Sequence, residues 1–239
     1  MIENFDEYLT GIALGVRFNP NFSVRDNLGS IADEILYQKD SLFNPTVFPK
    51  VLTTEDHQQI LINEDTNDQF RFNNLDFILE VNFKDEHNFS VTDLNNIIQK
   101  FESHIISDVM QKFQINNIRR IGFIRKYLFS DDVIAEKFIA KTIGRLIEGV
   151  TDCDMRFVKK IPLYESIAQQ ELNDYDNVIF TVNKKPDTKD LVLHFDYQSV
   201  FDPPLPKSTS IKFKPFIQKA TNYYETHLIP MINQNILGE

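Results

Sequence analysis

Leu75-Asp76-Phe77-Ile78-Leu79-Glu80-Val81-Asn82-Phe83 is the stretch on which the fold turns. Leu75, Phe77, Leu79, Val81 and Phe83 alternate with Asp76, Ile78, Glu80 and Asn82. Successive side chains of a strand point to opposite faces, so this alternation puts one face on a core and leaves the other open. That is the pattern of an antiparallel sheet covered on one side. Upstream, Gln69–Asn73 and Gln59–Asn63 read as strands, and Pro45 and Pro49 leave Thr46–Leu52 as at best an edge strand. Earlier still, Ile12–Phe18 is a strand made pliable by Gly11 and Gly15. Ser23, with Asp26 three residues on, then reads as the N-cap of a helix carrying Val24, Leu28, Ile31 and Ile35. Downstream, Ser90 or Thr92 caps a long helix to about Phe113, striped by Leu94, Ile97, Ile98, Phe101, Ile105 and Val109.

The second half restates this order. Ile118–Phe129 reads as a strand, and Ser130 as the cap of a helix to about Ile147. Arg156–Leu163, Val178–Asn183 and Leu191–Tyr197 follow as strands. Asp202-Pro203-Pro204-Leu205-Pro206 reads as a stiff extended connector, and a last helix runs from about Ser210 to Leu228, ended by Pro230. Gly15, Phe22 and Ser23 recur as Gly122, Phe129 and Ser130. Ile97-Ile98-Gln99-Lys100 recurs as Phe216-Ile217-Gln218-Lys219, and Glu102-Ser103-His104-Ile105-Ile106 as Glu225-Thr226-His227-Leu228-Ile229. The offset drifts by four residues within the last helix, close to one turn, so the apolar stripe keeps its face. The expected fold is α+β: internally duplicated β-α-β(3-4)-α halves, residues 1–116 and 117–239, sharing a largely antiparallel sheet with the helices packed on one face. No Gly/Ser/Pro linker separates the halves, which favours one continuous body.

A duplicated β-α-β(n)-α arrangement resembles the architecture of the TATA-binding protein, a saddle whose concave sheet faces its ligand. The likeness lies in element order over the whole chain, and it implies a fold and not a function. Gripping DNA on such a face takes basic residues and apolar wedges. Here the outward positions of the clearest strand carry Asp76, Glu80 and Asn82. Arg120-Ile121-Gly122-Phe123-Ile124-Arg125-Lys126-Tyr127, followed by Leu193-His194-Phe195-Asp196, resembles a sporadically distributed bacterial family of uncharacterised proteins of about 250 residues. Those proteins share a Gly-apolar-Arg-Tyr strand in mid-chain and a Leu-Asp-apolar-Asp strand before the last helix. That resemblance implies the same fold, and an accessory or immunity-type role beside an effector.

Composition narrows the classes. With 42% hydrophobic residues and 21 Phe among 239 residues, the chain can bury a real core. The single cysteine, Cys153, excludes a disulfide scaffold and a cysteine-based zinc site within one chain. Asp152 and Asp154 beside it would raise its thiol pKa and suppress the nucleophile. An acidic N-terminus and no long apolar run predict a cytoplasmic protein with no membrane partner. The net charge of −10 is uneven: residues 1–117 hold 8 Lys/Arg against 19 Asp/Glu, and residues 118–239 hold 17 against 16. Nucleic acid is therefore unexpected on the first half and permitted on the second.

Two constellations carry candidate chemistry. His194 and Asp196, two residues apart on a strand, share a face, and with Glu80 of the other half they could converge on a divalent metal or act as an acid/base pair. The plainer reading is a solvated polar sheet face. Arg120, Lys126, Lys159 and Lys160 form a basic group suited to an anion or an acidic partner; strand parity puts Arg120 and Lys126 on one face, and Arg119 and Arg125 on the other. The bland counterpart is ion pairing to the acidic first half. His104 and His227 occupy matching helix positions and could form a pH-sensitive or metal-binding pair, against a simple structural role. His57 and His87 have no partners in view, and Ile2, Phe5, Tyr8 and Leu9 pack on the sheet or dock a partner. No Gly-rich nucleotide loop, nucleophile elbow, His-Glu-x-x-His or calcium loop occurs, so no cofactor is expected. The leading expectation is a non-enzymatic module that binds a protein partner through its open sheet face. A metal-dependent enzyme or nucleic-acid-processing component at His194, Asp196 and Glu80, and a small-molecule sensor, are the alternatives.

Overall fold

A computed structural model describes residues 5–37, 50–54, 58–83, 91–130, 132–142, 152–163, 173–184 and 188–237. The expectations for Ile2, Thr46–Pro49, His57, His87, the Ser90 cap and the helix beyond Thr142 lie outside the described residues.

Among the described residues nine strands form one antiparallel sheet: β1 (Leu9–Phe18), β2 (Lys50–Thr53), β3 (Gln59–Ile62), β4 (Gln69–Phe72), β5 (Asp76–Asn82), β6 (Asn116–Phe129), β7 (Cys153–Pro162), β8 (Tyr175–Lys184) and β9 (Leu191–Lys207). They lie in the order β2-β3-β4-β5-β1-β6-β9-β8-β7. The first strand of each half thus meets the other at a central seam, where β1 runs antiparallel to β6 with Gly15 opposite Gly122.

The helices cover one face. They are α1 (Phe22–Asp26), α2 (Leu28–Tyr37), α3 (Val91–Lys100), α4 (Asp132–Thr142) and α5 (Phe213–Tyr223). α3 runs on through a π-helical stretch, Phe101–Val109, and α5 through another, Tyr224–Leu228. Under them lie the inward residues that the alternation selects: Phe77 and Leu79 of β5, Ile12, Leu14, Val16 and Phe18 of β1, Phe123, Tyr127 and Phe129 of β6, and Leu193, Phe195 and Tyr197 of β9. Phe5 packs edge-on against Tyr127 and Phe129, so the N-terminal 3-10 turn (Phe5–Tyr8) is part of this core.

Three local expectations need correction. The cap of α1 is Asn21, whose side chain accepts from the Val24 N–H, and not Ser23. The Asp202–Pro206 segment is not a free connector but belongs to β9, with Leu205 opposite Ile118 and Lys207 opposite Asn116. Proline is tolerated because pairing with β8 stops at Val200, leaving one side of β9 without ladder partners to donate to. Pro230 does not end the last helix; it lies in a short α segment, Ile229–Met231, between two π-helical stretches, and helix continues to Leu237.

Candidate functional site

Strand parity and register define what the uncovered face presents. Four rungs cross the seam there: Arg17 opposite Arg120, Gly15 opposite Gly122, Ala13 opposite Ile124, and Gly11 opposite Lys126. On the β5 side these continue to Asp76, Ile78, Glu80 and Asn82. On the β9 side they continue to Val200, Gln198, Asp196 and His194. Arg71 of β4 stands opposite Ile78 and closes the first side. Arg156 of β7, opposite Thr181, bounds the second.

Two adjoining depressions result, sharing Arg120, Ile124, Asp196 and Gln198 as their divide. One, of about 230 Å³, has Ala13, Gly15 and Gly122 as its floor and Arg17, Arg71 and Arg120 at its walls. The other, of about 300 Å³, is walled by Arg156 and His194. The absence of side chains at Gly15 and Gly122 makes the first one a hollow. A glycine in a strand interior costs roughly 0.5–1 kcal/mol relative to alanine, so two paired ones in the middle of a sheet are a feature with a cause.

The charges on this face are only partly matched. Lys126 is bonded to Glu80, and Arg17 lies 3.7 Å from Asp76. Arg120 donates to Gln198 Oε1 at 3.3 Å, and Gln198 Nε2 donates to Asp196 Oδ2 at 2.6 Å. Burial, and next the facing Arg17, pull the Arg120 guanidinium below its ordinary value. Burial pushes the Asp196 carboxyl up to about 6, against the pull of Gln198 and Arg120. Burial and Lys126 lower His194, favouring the neutral imidazole. Arg71 has a buried Nε with no hydrogen-bond partner.

The register separates the proposed metal set. His194 and Asp196 do share the open face, but Glu80 lies three strands from Asp196, about 14 Å at the usual strand spacing. Glu80 is also engaged by Lys126. Among the described residues no group of three His, Cys, Asp or Glu stands close enough to hold a metal.

The basic group divides in the same way. Arg120 and Lys126 both reach the open face, at the first depression. Lys160 stands on that face too, 3.7 Å from the centre of the Tyr175 ring, whereas Lys159 faces the helices over Tyr223. Arg125, on the helix face, is buried: it donates to Thr221 Oγ1, approaches Asp6 at 3.7 Å and lies over the Tyr224 ring. The two helix histidines occupy different surroundings. His104 is buried against the Ile35 carbonyl, and burial lowers it; His227 is exposed, stacked on Tyr223 and bonded to Thr226.

No family model, curated protein or solved structure matches this chain. No helix among the described residues is long and apolar enough to cross a membrane.

Sequence reasoning missed two residues of weight. Arg17 carried no motif, yet it forms the like-charged rung with Arg120. Asp176 is fully buried on the helix face of β8, accepting from Tyr197 Oη at 2.7 Å and Ser199 Oγ at 2.6 Å and paired with Lys219 of α5. The signal for it was the polar character of Tyr197 and Ser199 at inward parity on β9.

Proposed function

We propose that this chain is a non-enzymatic cytoplasmic binding protein that engages an acidic segment of a protein partner on the open face of its sheet, in an accessory role beside an effector. The observation that carries this is the Arg17–Arg120 rung. Like charges directly opposite on neighbouring strands destabilise a sheet, and an anion laid between them converts that cost into attraction. Arg71 and Arg156, flanking the seam on either side, extend the cationic track across both halves. A duplication origin belongs to the same reading: a twofold relating the halves would pass between Gly15 and Gly122, one of the pairs at which the sequences recur.

The test is fluorescence anisotropy with labelled hexaglutamate, read against ionic strength. Binding that weakens with salt and is lost in the double variant Arg120→Glu/Arg156→Glu is the expected result. No binding, or binding that the double variant retains, removes the reading. Titration with a short single-stranded DNA in place of the peptide shows whether the second half takes nucleic acid instead.

A further inference from the structure

From the same open face, and resting on the reading above, we infer that the hollow over Gly15 and Gly122 is a subsite for one oxyanion head group, a carboxylate or phosphoryl group, gripped between Arg71 and Arg120 with Arg17 at its end.

The glycines make the first argument. Neither is required by the protein's own packing: a Cβ on Gly15 would meet Ile78 Cγ1 at 3.6 Å, and one on Gly122 would meet Gln198 Cγ at 3.9 Å, both ordinary contacts. Gly11, one rung beyond Ala13 on the same strand, is different, because a Cβ there would come within 2.7 Å of the Val81 carbonyl oxygen. Gly11 is explained by its neighbours and the Gly15–Gly122 pair is not. What a Cβ at the pair would displace is the space of the hollow itself, where a ligand can approach the strand backbone closely.

The arginines make the second. The carboxylates that line the hollow are engaged, with Asp76 near Arg17, Glu80 on Lys126, and Asp196 accepting from Gln198. Arg71 forms no ion pair among the described residues, its Nε is buried without an acceptor, and it lines the hollow from β4. Arg120 lines it from β6, its side-chain bond going to a neutral amide. Guanidinium forks on opposite sides of a floor lowered at Gly15 and Gly122 suit a planar or tetrahedral oxyanion that accepts from both. Size sets the rest: about 230 Å³ lies below the roughly 300–1,000 Å³ of sites that enclose drug-sized ligands, so the hollow fits a head group and leaves the rest of the ligand on the sheet.

Calorimetry on the full chain tests this with inorganic phosphate and with three hexapeptides that differ at one central position: glutamate, phosphoserine or alanine among glutamates. Gly15→Ala and Arg71→Gln are the informative variants, each checked by thermal melting. The expectation is that the glutamate or phosphoserine peptide binds at least tenfold more tightly than the alanine peptide. Gly15→Ala and Arg71→Gln should each erase that advantage while melting within a few degrees of the parent. The larger of the two affinities identifies the carboxylate or the phosphoryl group as the occupant. Peptides that bind equally well to parent and variants, yet are lost in Arg120→Glu/Arg156→Glu, overturn the subsite and leave the open-face reading standing. Phosphate binding that Arg71→Gln abolishes, with no peptide bound, keeps the subsite and removes the protein partner. Absence of binding by phosphate and all peptides removes both.

Discussion

Replacing Asp196 by asparagine should stabilise this protein at neutral pH and do almost nothing in acid. In the native chain burial raises the Asp196 carboxyl from 3.8 to about 6, a net effect that already contains the opposing pull of Gln198, Arg120 and Arg156. Below about pH 4 the carboxyl is protonated whether the chain is folded or not, and it makes no difference to stability. Between about pH 4 and pH 6 the folded chain keeps a proton that the unfolded chain has released, so stability falls as pH rises. Above about pH 6 both states are ionised and the folded one bears the whole cost, roughly two pKa units at 1.36 kcal/mol each, or about 3 kcal/mol. Asparagine cannot ionise, and its amide oxygen can still accept from Gln198 Nε2, as Asp196 does now at 2.6 Å. Urea unfolding followed at pH 4, 5, 6 and 8 should therefore show Asp196→Asn coinciding with the parent at the acid end. The two should part through the window and settle about 3 kcal/mol apart at pH 8, a midpoint shift on the order of 1 M at a typical slope. A constant difference between the two proteins at every pH would show that burial of this carboxyl is not what sets its behaviour.

Three further outcomes are expected. Asp176→Ala strands the Tyr197 and Ser199 hydroxyls in the core and leaves Lys219 without its carboxylate; because Lys219 is half exposed, the loss should fall at the low end of the buried-pair range, about 3 kcal/mol by urea unfolding. Gly11→Ala, which drives a methyl against the Val81 carbonyl, should lower the melting temperature by several degrees, whereas Gly15→Ala should not, and equal melting of the two would contradict the account of the floor. Cys153 is buried, and burial with Asp152 and Asp154 nearby raises its thiol; a disulfide-exchange reagent at pH 7.5 should label it slowly in the folded protein and rapidly in urea, and fast labelling of the native chain would place the thiol at the surface.

What could be read in the sequence was whatever depends on a residue's immediate neighbours along the chain. The alternation through Leu75–Phe83 gave β5 and its two faces, and parity alone put Arg120 with Lys126, and His194 with Asp196, each pair on one face, which the register shows to be the uncovered side. A linear scan groups Lys159 and Lys160 with Arg120 and Lys126 as one basic set, and the structure puts the two lysines on opposite faces. Parity set Arg125 on the face opposite Arg120, and the structure buries it there under the helices. Lateral neighbours were not legible. The distance of Glu80 from Asp196 depends on β1 and β6 lying between them, which is decided by long-range pairing. Arg17 meets Arg120 across 103 residues of chain for the same reason. Proline rules failed at a one-sided strand for Pro203 and Pro204, and at the junction of a π-helical and an α segment for Pro230.

The seam between β1 and β6 has a practical consequence. Chain passes from one half to the other through a short turn at Phe113–Ile115, ahead of β6, while the hollow takes Gly15 and Arg17 from one side of that turn and Gly122 and Arg120 from the other. Cutting the chain in the turn would yield two fragments, each holding one wall and half of the floor. Reassembly would then restore the proposed oxyanion subsite only when both are present, which makes a fragment-complementation assay a second route to testing that proposal.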